Sequence, residues 1–407
     1  MHTAKHISST GDKVILLNAT GLGYQVMRAL GRRGVRSIVI YDQESEEIGR
    51  HSRYVADRIE VPCFIEQPER LLVYLLKNGR KWSGTLIIPT KDYGVEFLAR
   101  YKGILSRYYI IPTPGLDVIE GILDKRVLYE NARRLGISVP ETFHARSLED
   151  LCRLRDIIEF PCLLKPGRAH VFIRRFGFKL LEIECFEQLE AVYRDLTGNF
   201  TGDAFGMMIC GIIPGPDSKQ MVQFASYIDR SGEMLASMTS RKMRQDPPRY
   251  GQGRVTKSER ITDVDEQSRK LLRELGYHGF SEIEWKYDPR DGEYKLIEIN
   301  PRFIFYTALC TSCGINFPYI EYADLVRHEK IRVHSFRENV YWVHLYKDLL
   351  HTALNHGMER LSIREYLRPY LGRMSFAIFD PRDPRPFFEE WREHAGNMLK
   401  RRIRTSK

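Results

Sequence analysis

From Gly279 to Arg302 the chain reads GFSEIEWKYDPRDGEYKLIEINPR, a pattern that few folds accommodate. Between Ser281 and Tyr287 polar and apolar residues alternate. In a strand this places Glu282, Glu284 and Lys286 on one face and Ile283, Trp285 and Tyr287 on the other. Arg290-Asp291-Gly292 supplies a three-residue turn with glycine at its left-handed third position, and Tyr294 to Asn300 returns as a second strand. With that loop Pro289 faces Glu293, and equal steps outward set Glu284 directly opposite Glu298. Side chains so opposed share a face with Cβ atoms roughly 4.5–5.5 Å apart, where two carboxylates repel; the pair calls for a cation. Asn300, two residues past Glu298, adds an amide oxygen to the same face. An all-oxygen set without Cys or His suits Mg²⁺ or Mn²⁺ rather than zinc. Two other readings of the segment stay open: a solvated hairpin face with ordinary charges, and the paired carboxylates of a glycosidase, although the cations described below favour phosphate chemistry.

The 407 residues suffice for two to three domains, and 43% of them are hydrophobic, ample for well-buried cores. No stretch approaches the roughly 18 uninterrupted apolar residues of a spanning helix, and the composition excludes a disordered, collagen-like or low-complexity chain. A formal net charge of +10 favours anionic partners. Seven cysteines, an odd number, and an N-terminus without an apolar leader point to free thiols in a reducing cytoplasm. Cys310-Thr311-Ser312-Cys313 has the spacing of a redox pair or zinc knuckle, but no neighbouring motif completes a tetrahedral site.

The fold class expected is α/β and α+β. Residues 1–115 read as an open parallel α/β domain: strand Lys13 to Ala19, turn Thr20 to Gly23, helix Tyr24 to Arg33 closed by Gly34, strand Arg36 to Tyr41, then Thr85 to Pro89 and helix Tyr93 to Tyr101. The Gly21-x-Gly23 turn offers backbone amides to a phosphate, but Val26 stands where the third glycine of the dinucleotide fingerprint belongs. The turn-rich run Ile111 to Gly115 marks a boundary. In 116–200 a helix from Asp124 to Leu135 stops at Gly136 and a short strand ends at Lys165-Pro166-Gly167. Strands dominate 201–326, at Met207 to Ile213, Gln220 to Ile228 and Glu233 to Arg241. Residues 327–407 hold amphipathic helices at Tyr341 to Asn355 and Phe387 to Ile403 and the basic run Lys400 to Arg404. With seventeen Lys and Arg against ten Asp and Glu, this last region carries most of the net charge.

The ending Ile297-Glu298-Ile299-Asn300-Pro301-Arg302, with Glu284 before it, resembles the metal-binding signature of the ATP-grasp superfamily, and the resemblance spans most of residues 13–325. It implies a pre-ATP-grasp Rossmann-like domain (1–115), ATP-grasp subdomain A (116–200), subdomain B (201–326) and a basic helical extension (327–407). It also implies ATP as cofactor and two Mg²⁺ (or Mn²⁺) ions, with Glu298 bridging them, Glu284 holding one and Asn300 the other, while Arg302 neutralises the transferred phosphoryl group. Lys125, in Asp124-Lys125-Arg126, and Lys165, in Leu163-Leu164-Lys165-Pro166, resemble the two lysines that reach the nucleotide phosphates. The loop Gly167 to Lys179 is glycine-poor for the family, so that Arg168, Arg174, Arg175 and Lys179 supply charge in place of backbone amides. Met208 to Pro216 resembles the adenine-binding linker, in which Ile209 to Ile213, including Ile209, Cys210 and Ile212, would offer backbone groups and an apolar slot to the ring, with Asp217 within reach of the ribose. Cys210-Gly211 replaces the usual Gln-Glu pair there. The basic segment from Arg241 to Gly251 is similar to that of carboxylate–amine ligases related to D-aspartate ligase and to carbamoyl-phosphate synthase large chains. Its Arg241, Lys242, Arg244 and Arg249 are suited to triphosphate and carboxylate.

The resemblance implies a cytoplasmic ligase in which a carboxylate takes the γ-phosphoryl group of ATP and an amine then displaces phosphate from the acyl carbon. One rival is a nicotinamide- or flavin-dependent oxidoreductase built on the N-terminal unit, opposed by the missing glycine and the carboxylate hairpin. A second is a basic nucleic-acid-binding protein, for which no module or interleaved aromatic pattern is legible; no nucleic acid is expected. Residues 327–407 are either a helical cap with a solvated tail or a docking surface for an acidic carrier or the inner membrane face.

Overall fold

A computed structural model describes residues 12–42, 47–167, 179–198, 206–247, 249–354 and 361–394. The loop arginines Arg168, Arg174 and Arg175, and the basic run Lys400 to Arg404, lie outside the described residues.

The N-terminal sheet is built from four apolar or amphipathic runs, β1 (Lys13–Leu17), β2 (Arg36–Tyr41), β3 (Val55–Glu60) and β4 (Leu86–Pro89), all parallel in the order β3-β2-β1-β4. Burial on both faces explains why β1 and β4 read as unbroken hydrophobic segments. Helix Gly21–Gly31 begins earlier than the sequence suggested, so Gly21 and Gly23 occupy its first turn rather than a separate turn. Gly23 is required there, since a Cβ would stand 2.3 Å from the carbonyl oxygen of Asn18.

A second sheet, antiparallel and four-stranded, contains β5 (Thr142–His144), β6 (Cys162–Pro166), β7 (Leu181–Ile183) and β8 (Met207–Gly211) in the order β5-β8-β6-β7. Facing it is a seven-stranded sheet of β9 (Met221–Ile228), β10 (Met234–Asp246), β11 (Gln252–Ser258), β12 (Gly279–Asp288), β13 (Glu293–Asn300), β14 (Val340–Val343) and β15 (Arg373–Phe376). Its order is β13-β12-β9-β10-β11-β14-β15.

The C-terminal region is helical, at Leu345–Leu354, Ile363–Leu371 and 385–394, but it also supplies β14 and β15. Val340–Val343 therefore corrects the helix expected from Tyr341 onward. Four consecutive buried apolar residues pair antiparallel with β11, and the helix starts only after His344. The region is stitched to the rest of the chain by charge. Asp348, fully buried, accepts from Arg244 Nη1 at 2.7 Å and from Arg254 Nε at 2.9 Å. At the other end the buried Arg28 guanidinium donates to the carbonyls of Phe376 and Ala377 at 2.9 and 3.0 Å. Among the described residues no helix is long and apolar enough to cross a membrane.

Candidate active site

The β12/β13 hairpin places Glu284 opposite Glu298 and Glu282 opposite Asn300. The loop differs from expectation: Asp288, not Pro289, faces Glu293, and Trp285 faces Leu296. A bulge at Ile297 restores the register before Glu298. The extra residue also changes which side chains share a face. Without it Glu298 and Asn300 would follow Leu296 onto the apolar side; with it Leu296 and Ile299 enter the core while Glu298 and Asn300 face the cleft. Neighbouring elements hold the bulge: Tyr129 Oη donates to the Ile297 carbonyl at 2.9 Å, and the Leu296 amide donates to Ser138 O at 2.8 Å.

The cleft has a volume of about 640 Å³ and is lined by residues of the β5-β8-β6-β7 sheet and of the seven-stranded sheet, together with Leu22 and Phe305. Cations surround the carboxylates. Lys125 Nζ lies 2.5 Å from Glu298 Oε2, Lys179 Nζ 3.9 Å from Glu298 Oε1, and Lys242 Nζ 3.2 Å from Glu284 Oε1. Burial alone would raise Glu298, but Lys125, Lys179 and Lys242 outweigh it and hold the carboxyl well below its usual range. Glu298 in turn raises Lys179. Lys165 lines the same cleft, where burial lowers its ammonium, and it makes no hydrogen bond or ion pair among the described residues. Arg302 Nε donates to Asp92 Oδ1 at 2.6 Å and its Nη2 to Asn300 Oδ1 at 3.2 Å.

Glu282 is a site residue that the sequence reading put on the right face and then left without a role. It is 2% exposed, accepts from Asn300 Nδ2 at 2.7 Å and from Tyr306 Oη at 3.2 Å, and lines the cleft. Burial, with the Glu284 charge second, pushes it up to about 8. The donors fit a divalent cation by their chemistry: two opposed carboxylates and an amide oxygen, hard oxygen ligands already drawing lysine charge. Among the described residues no cluster of three or more His, Cys, Asp or Glu is preassembled for a metal, so Asn300 and incoming oxygens would complete the set. The buried pair Cys310 and Cys313 remain free thiols.

Not all of the residues named from sequence turn their side chains to the cleft. Within the linker the side chains of Ile209 and Cys210 enter the core and Ile212 packs against it, while Gly211 and Ile213 line the cleft. Arg241 turns away, binding Glu259 at 2.7 Å, while its neighbour Lys242 faces in. Arg244 serves the Asp348 cluster; Arg249 lines the cleft and pairs with Glu182 at 2.9 Å. Asp217 lines the cleft but is engaged by Lys286 at 2.6 Å and by the Tyr250 amide at 3.2 Å. Lys286 was legible only as a polar member of the strand alternation.

Residues 253–318 match the family model described as "Carbamoyl-phosphate synthase L chain, ATP binding domain". A D-aspartate ligase of Enterococcus faecium is 27% identical over 292 residues, which cover 69% of this chain and 66% of that enzyme, just under two thirds of its length. Among solved structures, the biotin carboxylase domain of the Hydrogenobacter thermophilus 2-oxoglutarate carboxylase, in complex with MgADP and bicarbonate, has a TM-score of 0.65 at 19% identity, covering 82% of this chain and 74% of that one. An L-amino acid ligase from Bacillus licheniformis has a TM-score of 0.60 at 15% identity, covering 79% and 75%. In its fold the chain is similar to these ATP-grasp structures, and in sequence it is similar to the carbamoyl-phosphate synthase ATP-binding domain and to a D-aspartate ligase.

Proposed function

We propose that the protein is an ATP- and Mg²⁺-dependent ligase that activates a carboxylate as an acyl phosphate and joins it to an amine. The observation that carries this reading is the opposed Glu284 and Glu298 pair, ringed by Lys125, Lys179 and Lys242, with Lys165 and Arg302 in the same cleft. Similarity to a D-aspartate ligase and, in fold, to an L-amino acid ligase supports an amino acid or peptide-like substrate, such as a cell-envelope precursor. Magnesium, when bound, would supply positive charge against phosphate oxygens; Glu298, Glu284 and Asn300 would hold it. Lys125 and Lys165 bind the nucleotide phosphates, Lys125 exchanging its contact with Glu298 for the triphosphate. Gly211 and Ile213 border the base, and Asp217, steadied by Lys286, lies on the ribose side. Arg302, oriented by Asp92, stabilises charge on the transferred phosphoryl group and then on the acyl carbonyl.

The test is ADP and phosphate release with pools of amino acids, using ¹⁸O-carboxylate to follow oxygen into phosphate. Glu298→Gln is expected to lower turnover by at least about 100-fold, the range for loss of a preorganised electrostatic group. Labelled substrate that delivers no ¹⁸O to phosphate during ATP turnover defeats the acyl-phosphate route.

The protein works in the cytoplasm, with a peripheral contact at an anionic membrane surface. The contact is supported by helix Ile363–Leu371, where Ile363, Leu367 and Leu371 are 80%, 42% and 83% exposed in one stripe beside exposed Arg364 and Arg368.

A further inference from the structure

Glu282 lines the cleft beside residues with assigned tasks and has none of its own. It lies on β12, which is paired on both sides, so its backbone is fixed opposite Asn300 of β13 and opposite Ala225 of β9. Its two oxygens serve different partners. Oε1 accepts from Tyr306 Oη at 3.2 Å and Oε2 from Asn300 Nδ2 at 2.7 Å. Tyr306 is buried as well, at the start of helix Thr307–Ser312. Backbone, tyrosine and asparagine together leave the Glu282 carboxyl a single orientation.

The contact with Asn300 resolves an ambiguity. The oxygen and the NH₂ of a side-chain amide have nearly the same shape, and turning the group over exchanges an acceptor for two donors. Here the NH₂ lies against Glu282, and the oxygen accepts from Arg302 Nη2 at 3.2 Å. Arg302 is the weaker of the two constraints. Its bond to Asn300 is the longer one, its Nε is held by Asp92 at 2.6 Å, and in the ligase reading its guanidinium turns to the phosphoryl group. The 2%-exposed Glu282 then keeps Oδ1 toward the cleft. An amide turned over would present N–H groups to a cation, which takes oxygen ligands, and to a guanidinium, which only donates.

We propose that Glu282 is a positioning residue: by accepting from Asn300 Nδ2 it fixes which end of the amide faces the cleft, making Asn300 an oxygen ligand for the divalent cation and an acceptor for Arg302. The cation rests on the ligase reading; the orientation of the amide does not. The role asks for an acceptor at Oε2 and not for a charge. Glutamine can therefore fill it, with Oε1 toward Asn300 and Nε2 toward the Tyr306 hydroxyl, whereas methionine, unbranched and of similar length, cannot.

Two measurements test this. The Kd of Mn²⁺ for the ADP-saturated protein, read from the electron paramagnetic resonance of the free ion, is expected to rise about tenfold in Glu282→Met, equivalent to ~1.4 kcal/mol, and to stay within about twofold of wild type in Glu282→Gln. Equal weakening in both variants would make Glu282 a charge or ligand for the ion and overturns the proposal, as does an unchanged Glu282→Met. In the ¹⁵N spectrum of the protein without nucleotide or metal, the Asn300 side-chain amide is assigned by its loss in Asn300→Ser. It is expected to exchange slowly with water in wild type and Glu282→Gln and fast in Glu282→Met. A wild type whose Asn300 amide exchanges like that of an exposed asparagine overturns the proposal even if Glu282→Met does not fold. A wild type that binds no Mn²⁺ beside ADP sinks the ligase reading instead, and the amide spectrum still decides whether Glu282 orients Asn300.

Discussion

Glu321, in helix Phe317–Tyr322, is 3% exposed, and its Oε2 has no partner among the described residues. Burial, with Asp324 adding like charge, pushes its carboxyl up to about 8. Glu298, partly buried, moves the other way because three lysines face it; burial sets the penalty and neighbours decide the sign. Since the folded-state pKa of Glu321 is raised, its contribution to stability is fully present below the unfolded carboxyl value and is lost as pH rises through about 8. Glu321→Gln should therefore unfold at a similar temperature to wild type at pH 5 and at a higher one at pH 8.5. The gap should be on the order of a few kcal/mol, read by calorimetry at both pH values; a gap that does not widen with pH rules this out. Single residues were legible from sequence where strand parity could be counted, as for Glu284, Glu298 and Asn300. Parity also shows why Arg241 and Lys242, adjacent in one strand, cannot both present side chains to one cleft.

At the scale of elements, the hairpin pairing of Glu284 with Glu298 was readable from sequence, but by two differences that cancel. The loop is longer by one residue on the β12 side, and the Ile297 bulge takes up the slip. Nothing local announces that bulge, since its hydrogen bonds come from Tyr129 and Ser138, distant in the chain. The β14 strand was hidden for a related reason: Val340–Val343 runs directly into helix Leu345–Leu354, and only pairing with β11 separates the two. Helix Ile363–Leu371 belongs to this scale too. Its Ser362 and Glu365 form a capping box, so it is a formed helix whose apolar stripe is left outside. Protein should sediment with phosphatidylglycerol vesicles and not with phosphatidylcholine, and a paired Ile363→Glu, Leu371→Glu change should abolish this. Each nearby arginine contributes ~1 kcal/mol, so binding should also fade in high salt. Equal sedimentation of the paired variant assigns membrane binding elsewhere, and a wild type that ignores both lipids removes it.

For the whole molecule, the C-terminal region is part of the architecture that shapes the cleft. Asp348 joins helix Leu345–Leu354 to β10 and β11, and Tyr370 Oη adds a third hydrogen bond to it at 2.6 Å. The turn between those two strands carries Pro247, Arg249, Tyr250 and Gly251 along the cleft wall. Asp348→Ala strands buried arginine charge, so roughly 3–5 kcal/mol of stability should be lost, measured as the shift in urea midpoint. A shift below about 1 kcal/mol would mean water replaces the carboxylate. The parallel sheet, the antiparallel hairpin and their order were legible because each has its own period; the closure of the C-terminal region over them was not, because it depends on ion pairs between distant segments.

The cradle around Arg28 carries that closure into the order of synthesis. Its donor and the Phe376 carbonyl stand 348 residues apart, so the guanidinium leaves the ribosome long before its acceptors exist. Until then a charge destined for full burial must stay hydrated, and helix Gly21–Gly31 cannot settle into its final packing. The N-terminal sheet is thus completed only after its C-terminal partners are made, and a nascent chain halted before residue 376 would expose that sheet unfinished to chaperones and proteases.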